Sequence, residues 1–234
     1  MSIPRSKKIK KIHEEKEEGW KIHLVQKQLH FLNPREIEVD AAKSWGPYGS
    51  LANFTVGGHP LLLQLPKMKV AFGFKSFEDE KYTISLDLDS DTRILNFFKQ
   101  TDETIREIIG RNVEDWYPFL EASSPEFKRA LVDGYYTPIT KIRFDKKRNP
   151  LPPRLTLKIA AKDGIMPLVF DREGEKIAME SVTKNSEIET IVVLTGLFIG
   201  EKMISPQIFL KQTRLLKQGY HESDEVLSEF SFVQ

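Results

Sequence analysis

No cysteine occurs in the 234 residues. Disulfides, thiolate zinc sites and cysteine nucleophiles are thereby excluded, and the lack fits a reducing compartment. Long apolar runs are also missing. The longest, residues 191–199, falls far short of the roughly 20 residues that cross a bilayer, so no membrane association is expected. The basic N-terminus has no apolar stretch of the kind a secretory signal needs, and an intracellular site is expected. There is no G-x-G-x-x-G, no P-loop and no G-x-S-x-G, which removes the sequence signatures of dinucleotide, nucleoside-triphosphate and α/β-hydrolase sites. Histidine is scarce and scattered: His13, His23, His30, His59 and His221 share no metal-binding spacing. No cofactor, metal or catalytic residue is expected.

Net charge is nearly absent too, at +1, but the sum hides a segregation. Residues 78–133 carry 14 acids and 7 bases, residues 141–162 carry 8 bases and one acid, Asp145, and residues 221–234 carry four acids with no Lys or Arg. Blocks of one sign create local potential even in a neutral chain. Residues 1–18 pass from Arg5, Lys7, Lys8, Lys10 and Lys11 to Glu14, Glu15, Glu17 and Glu18 with few apolar residues, which reads as an arm with no core of its own.

From about Trp20 the pattern is that of strands. Ala52, Phe54 and Val56 alternate before Gly57-Gly58, a hairpin signal because both glycines tolerate positive φ. The returning strand, residues 59–65, is expected to end at Pro66. Tyr82, Ile84, Leu86 and Leu88 alternate with Thr83, Ser85, Asp87 and Asp89, the mark of a half-buried strand. The period then becomes helical, with Ile94, Phe98, Ile105, Ile108 and Ile109 on one face of one helix or two short ones. A second helix follows, with Ser123 and Glu126 as a capping box and Gly134 as its stop. These helices, at about 91–134, hold most of the acidic block and read as an insertion between strands. Strands resume after Thr137, through 154–159 and 188–199, to a last one at 208–216, with a turn around Gly174. About eight or nine short strands with a helical insertion imply a barrel or sandwich.

The basic block carries the chemistry. Lys141 and Arg143 share one face of a strand opposite Ile142 and Phe144, and Arg154 and Lys158 share one face of the next. If the two strands pair across the loop holding Lys146, Lys147 and Arg148, seven cations line one sheet surface and its tip, a track suited to a phosphate backbone. Bases need aromatic platforms; Trp45, Tyr48, Phe72, Phe74, Tyr135 and Tyr136 are candidates, while Tyr82 and Phe144 fall on apolar faces and are expected in the core. Asp87, Asp89 and Asp91 could gather carboxylates for a metal-dependent nuclease, but no Lys, His or Glu completes such a site. A polar strand face running into a helix N-terminus explains them better.

The chain resembles the single-stranded DNA-binding proteins of large nucleo-cytoplasmic DNA viruses, themselves similar to the replication single-strand binder of T-odd bacteriophages. The residues that carry the resemblance are Gln64-Leu65-Pro66-Lys67-Met68, Phe72-Gly73, the strand 82–88, Tyr135-Tyr136-Thr137-Pro138, the segment 152–158, and the strands 191–199 and 211–216. The resemblance covers about residues 45–217 and implies a mainly β, OB-fold-like antiparallel barrel with extra strands, in a domain expected over residues 19–217. It implies sequence-tolerant binding of single-stranded DNA in viral replication, recombination or repair, in the host cytoplasm or nucleus. It also implies an acidic tail, residues 218–234, that recruits replication proteins and competes with DNA for the groove. Glu222, Asp224, Glu225 and Glu229 supply its acid, and Phe230 and Phe232 its aromatics. Lys141, Arg143, Lys146, Lys147, Arg148, Arg154 and Lys158 would then contact phosphates, with Lys67, Lys69, Lys211 and Arg214 as a second set and Tyr136, Phe72 and Phe74 as stacking residues. Single-stranded RNA is the alternative ligand, and a viral scaffold or interaction protein, which can be a homo-oligomer, the alternative class.

Overall fold

A computed structural model describes residues 25–28, 32–78, 81–88, 91–160 and 167–219. In chain order its strands are β1 (Val25–Gln28), β2 (Glu38–Val39), β3 (Lys43–Ser44), β4 (Ser50–Val56), β5 (His59–Glu78) and β6 (Lys81–Asp87). Two helices follow, α1 (Thr92–Trp116) and α2 (Pro125–Tyr135). After them come β7 (Lys141–Phe144), β8 (Pro150–Ala160), β9 (Leu168–Phe170), β10 (Glu187–Ile199) and β11 (Ile204–Lys217). The eleven strands of the described residues exceed the eight or nine expected because β2, β3 and β9 have only two or three residues each, too few for an alternation to show in sequence. The arm at 1–18, the strand signal at Trp20 and the tail residues Glu222, Asp224, Glu225, Glu229, Phe230 and Phe232 lie outside the described residues.

Five strands close a ring. β5 pairs with β6, β6 with β8, β8 with β11, β11 with β10, and β10 again with β5. β5 can serve at both ends because it is 20 residues long. Its first half runs beside β10, from Leu61 opposite Leu194 to Lys69 opposite Glu187. Its second half runs beside β6, from Val70 opposite Leu86 to Glu78 opposite Lys81. The result is an OB-fold-like barrel, mainly β, with a helical insertion between β6 and β7. Four of the five ring pairings are antiparallel, and β8 meets β11 in parallel at Lys158 and Phe209. The added strands β1 and β9 also pair in parallel, with β5 and β11.

Pro66 does not end β5. Leu65 stands opposite Thr190 and Met68 opposite Ile188, so the register slips where the proline sits. A bulge accepts a residue with no N–H to donate, and the strand passes through. The hairpin between β4 and β5 forms as the sequence suggests, with Gly57 at φ 58° and Gly58 at φ 76°.

The insertion begins as one 25-residue helix, α1. Asp91 caps it by accepting from the Arg93 N–H at 2.9 Å. Ile94, Phe98, Ile105, Ile108 and Ile109 are all buried, in one core with Leu63, Leu65, Ile84, Leu86, Leu157, Val192 and Leu194 of the barrel. In α2 the cap is Ser124, one residue after the expected Ser123; its Oγ accepts from the Phe127 N–H at 3.3 Å. Pro125 explains the shift, because proline suits the first helical position. Gly134 does not stop this helix, which runs on to Tyr135. Arg106–Asp133 and Lys128–Glu114 ion pairs hold α2 against α1.

A buried carboxylate ties α1 to the strand that follows. Asp102 accepts from Tyr136 Oη at 2.6 Å, from the Ile139 and Thr140 N–H groups at 2.8 and 3.1 Å, and from Thr140 Oγ1 at 2.7 Å. Four donors satisfy a charge that would be costly to bury alone. Their effect is to fix the chain that leads into β7. Among the described residues, no helix is long and apolar enough to cross a membrane.

Candidate nucleic-acid interface

The alternation in β6 and β8 sorts their side chains. Leu155, Leu157, Ile159, Ile84 and Leu86 are buried, so Arg154, Thr156 and Lys158, with Thr83, Ser85 and Asp87, face outward. Register then aligns these outward residues into rows. Asp87 stands opposite Arg154, Ser85 opposite Thr156, and Thr83 opposite Lys158. β5 extends two of the rows, with Phe72 opposite Ser85 and Lys75 opposite Thr83. The Ser85 and Thr156 hydroxyls lie 3.3 Å apart. Lys158 Nζ donates to Gln207 Oε1 of β11 at 2.9 Å, at the edge of this face.

Phe72 sits at the centre. Its exposure of 36% is high for a phenylalanine on a barrel wall. Lys75 Nζ lies 4.2 Å from the ring centroid and the Arg154 guanidinium 4.5 Å from it, both over the ring. Arg154 is also anchored by Asp87, Nε to Oδ1 at 3.3 Å. Lys75 is not among the candidates that the sequence pattern singles out. Only the register of β5 beside β6 reveals it, and that register follows from β5 passing Pro66.

β7 pairs with β8 as a hairpin, Lys141 opposite Arg154 and Arg143 opposite Leu151, which brings the two basic strands together. Arg143 Nη1 donates to the Pro152 carbonyl at 3.4 Å. Lys146, Lys147 and Arg148 are all exposed at the tip. Asp145, the one acid of the block, is absorbed by the turn. It accepts from the Lys147 and Asn149 N–H groups at 2.7 and 2.8 Å and from Asn149 Nδ2 at 2.9 Å. The Asn149 amide, followed by the backbone donors, holds its carboxyl below the usual carboxylate range.

Other expected residues lie elsewhere. Tyr136 is 5% exposed, its hydroxyl spent on Asp102 and its ring under the Arg106 guanidinium, so it offers no face to a base. Burial beside Asp102 raises its pKa. Phe74 packs partly buried against the core. Phe144, expected inside, is 60% exposed: among the described residues β7 pairs with β8 alone, at the edge of the sheet. Trp45 and Tyr48 are 59% and 75% exposed. Gly49, at φ 142°, seats their loop against the Ile199 carbonyl and Gly200, beside the β10–β11 turn and off the Phe72 face.

The second cationic set is interleaved with acid. Lys67 Nζ pairs with Glu187 Oε2 at 3.2 Å, Lys69 stands opposite Glu187, and Arg214 pairs with Glu189. Lys211 is exposed on β11. The carboxylates that could gather around a metal are engaged instead, Asp87 with Arg154 and Asp91 with Arg93; Asp89 lies outside the described residues. Among the described residues no group of three His, Cys, Asp or Glu side chains is placed to hold a metal ion.

No family model matches the sequence, and no curated protein matches it. Among solved structures, gp2.5, a single-stranded DNA-binding protein encoded by bacteriophage T7, aligns at 12% identity and a TM-score of 0.43, over 70% of this chain and 96% of its own. The C-terminally truncated single-stranded DNA-binding protein from bacteriophage Enc34 gives 12% identity and 0.45, over 77% and 97%. The same phage protein in complex with single-stranded DNA gives 13% and 0.39, over 79% and 98%. At these scores the fold of the chain rests on its own strand order.

Proposed function

We propose that the chain binds single-stranded DNA without strong sequence preference along the outward face of β5, β6 and β8 and the β7–β8 hairpin. One observation carries the reading: an exposed aromatic ring lies among cations of a barrel wall whose strand β8 continues into a cationic hairpin. Such a face offers both things a flexible strand requires, positive charge for its phosphates and a platform for its bases. Arg154, Lys158, Lys141, Arg143, Lys146, Lys147 and Arg148 contact phosphates in this reading, and Phe72 stacks a base. The role is protection and organisation of single strands in viral DNA replication, recombination or repair, the setting that the sequence resemblance implies.

We also propose that the acidic tail competes for this face. Gly219 is pinned beside it: its N–H donates to Ser186 Oγ at 2.9 Å, and the Ser186 carbonyl accepts from the Val70 N–H at 2.8 Å, two residues from Phe72. Eleven residues on from Gly219 lies Phe230, within about 36 Å for an extended chain.

The test is a fluorescence-anisotropy titration of a labelled thirty-nucleotide poly-dT strand at two salt concentrations, beside a duplex and a matched RNA strand. Binding that prefers the single DNA strand and weakens steeply with salt supports the reading. No binding at low salt, even with residues 220–234 removed, ends it.

A further inference from the structure

The ring of Phe72 is exposed, yet its faces are not open. Lys75 and Arg154 both lie over it, at 4.2 and 4.5 Å. Register places their strand positions on either side of Phe72 along the sheet: Arg154 stands in the row of Asp87, Lys75 in the row of Thr83, and Phe72 in the row of Ser85 between them. A base cannot stack where a cation already sits, so one of the two must leave when a strand arrives.

The two cations are held differently. Arg154 is half-buried and fixed by Asp87. Lys75 is exposed, and the ring is the partner that the described residues give it. An exposed cation–π contact is weaker than a base stacked on an aromatic ring, so replacing the one by the other is favourable. The displaced ammonium also gains a phosphate.

We propose that Lys75 is an exchangeable cover on the base-stacking site. A base takes the side of Phe72 that Lys75 vacates, Lys75 moves to a backbone phosphate, and Arg154 stays as the fixed support on the other side. This inference rests on the reading of the face given above and adds a phosphate-binding residue to it.

The experiment is a salt series of anisotropy titrations with the full chain, using poly-dT and an abasic strand of equal length, for wild type, Lys75→Gln and Phe72→Ala. Lys75→Gln is expected to weaken poly-dT binding and to flatten the log–log salt slope by about 0.7, one phosphate's worth on a single strand. Phe72→Ala is expected to weaken poly-dT binding roughly fivefold to a hundredfold, to keep the wild-type slope, and to leave the abasic strand unaffected. A Lys75→Gln protein that binds poly-dT more tightly, or with the wild-type slope, overturns the exchange while wild-type binding stands. Absence of wild-type binding removes the reading of the face itself.

Discussion

Two parts of one barrel wall carry cations and differ in what stands between them. On β5, β6 and β8, Lys75 and Arg154 flank Phe72 and Lys158 stands in the row of Thr83; among the described residues, Asp87 is the one carboxylate in the rows of Thr83, Ser85 and Asp87. On β5, β10 and β11, Lys67, Lys69 and Arg214 are interleaved with Glu187 and Glu189, and among the described residues no exposed aromatic ring lies between them. β5 contributes to both, and its pairing partner changes between Lys69 and Val70. Counting cations does not separate these surfaces. The acid on the neighbouring strand does, because interleaved carboxylates cancel the local potential that a phosphate would meet.

The largest expected effect comes from neutralising the first surface. The combined change Lys146→Gln, Lys147→Gln, Arg148→Gln and Lys158→Gln should weaken poly-dT binding by well over tenfold and flatten the salt slope by about 0.7 for each phosphate that is no longer neutralised. The matched change Lys67→Gln, Lys69→Gln, Lys211→Gln and Arg214→Gln should alter affinity little. Equal weakening in the two proteins, read by anisotropy, would erase the distinction.

Next is the mounting of the first surface. Asp102→Ala removes the acceptor of four hydrogen bonds and should cost on the order of 3 kcal/mol in urea unfolding, loosening the segment that feeds β7. A loss below about 1 kcal/mol would show that the hairpin is positioned by other means.

A smaller effect sharpens the contrast from the other side. Glu187→Gln with Glu189→Gln frees Lys67 and Arg214 and should steepen the salt slope of strand binding relative to wild type. An unchanged slope would mean that geometry, and not pairing, keeps the second surface silent.

The smallest concerns acid. Asp145 has a lowered pKa in the folded protein, so its contribution is fully present above the ordinary value of 3.8 and is lost as pH falls through the lowered one. The Lys147 and Asn149 amide resonances should therefore titrate with a midpoint below pH 3.8. An inflection above it would contradict the turn geometry.

A sequence can show whatever repeats over a few residues. The alternation at 82–88 and 154–159 and the helical spacing from Ile94 to Ile109 are legible because one side of each element faces a single core. The passage of β5 through Pro66 is not, because the bulge belongs to a register with β10. Tyr136 reads as a platform because nothing local announces Asp102, 34 positions away. Phe144 reads as core because an alternation gives a side but not whether anything covers it. Lys75 is invisible as the cover of Phe72 because cross-strand neighbours are set by pairing, which a linear pattern does not contain.

The most direct test of the central claim is to photocross-link a bromodeoxyuridine-substituted thirty-nucleotide strand to the full chain and map the joined peptides by mass spectrometry. Adducts are expected at Phe72 and on the β7–β8 hairpin. Adducts confined to β10 and β11 would contradict that placement of the strand.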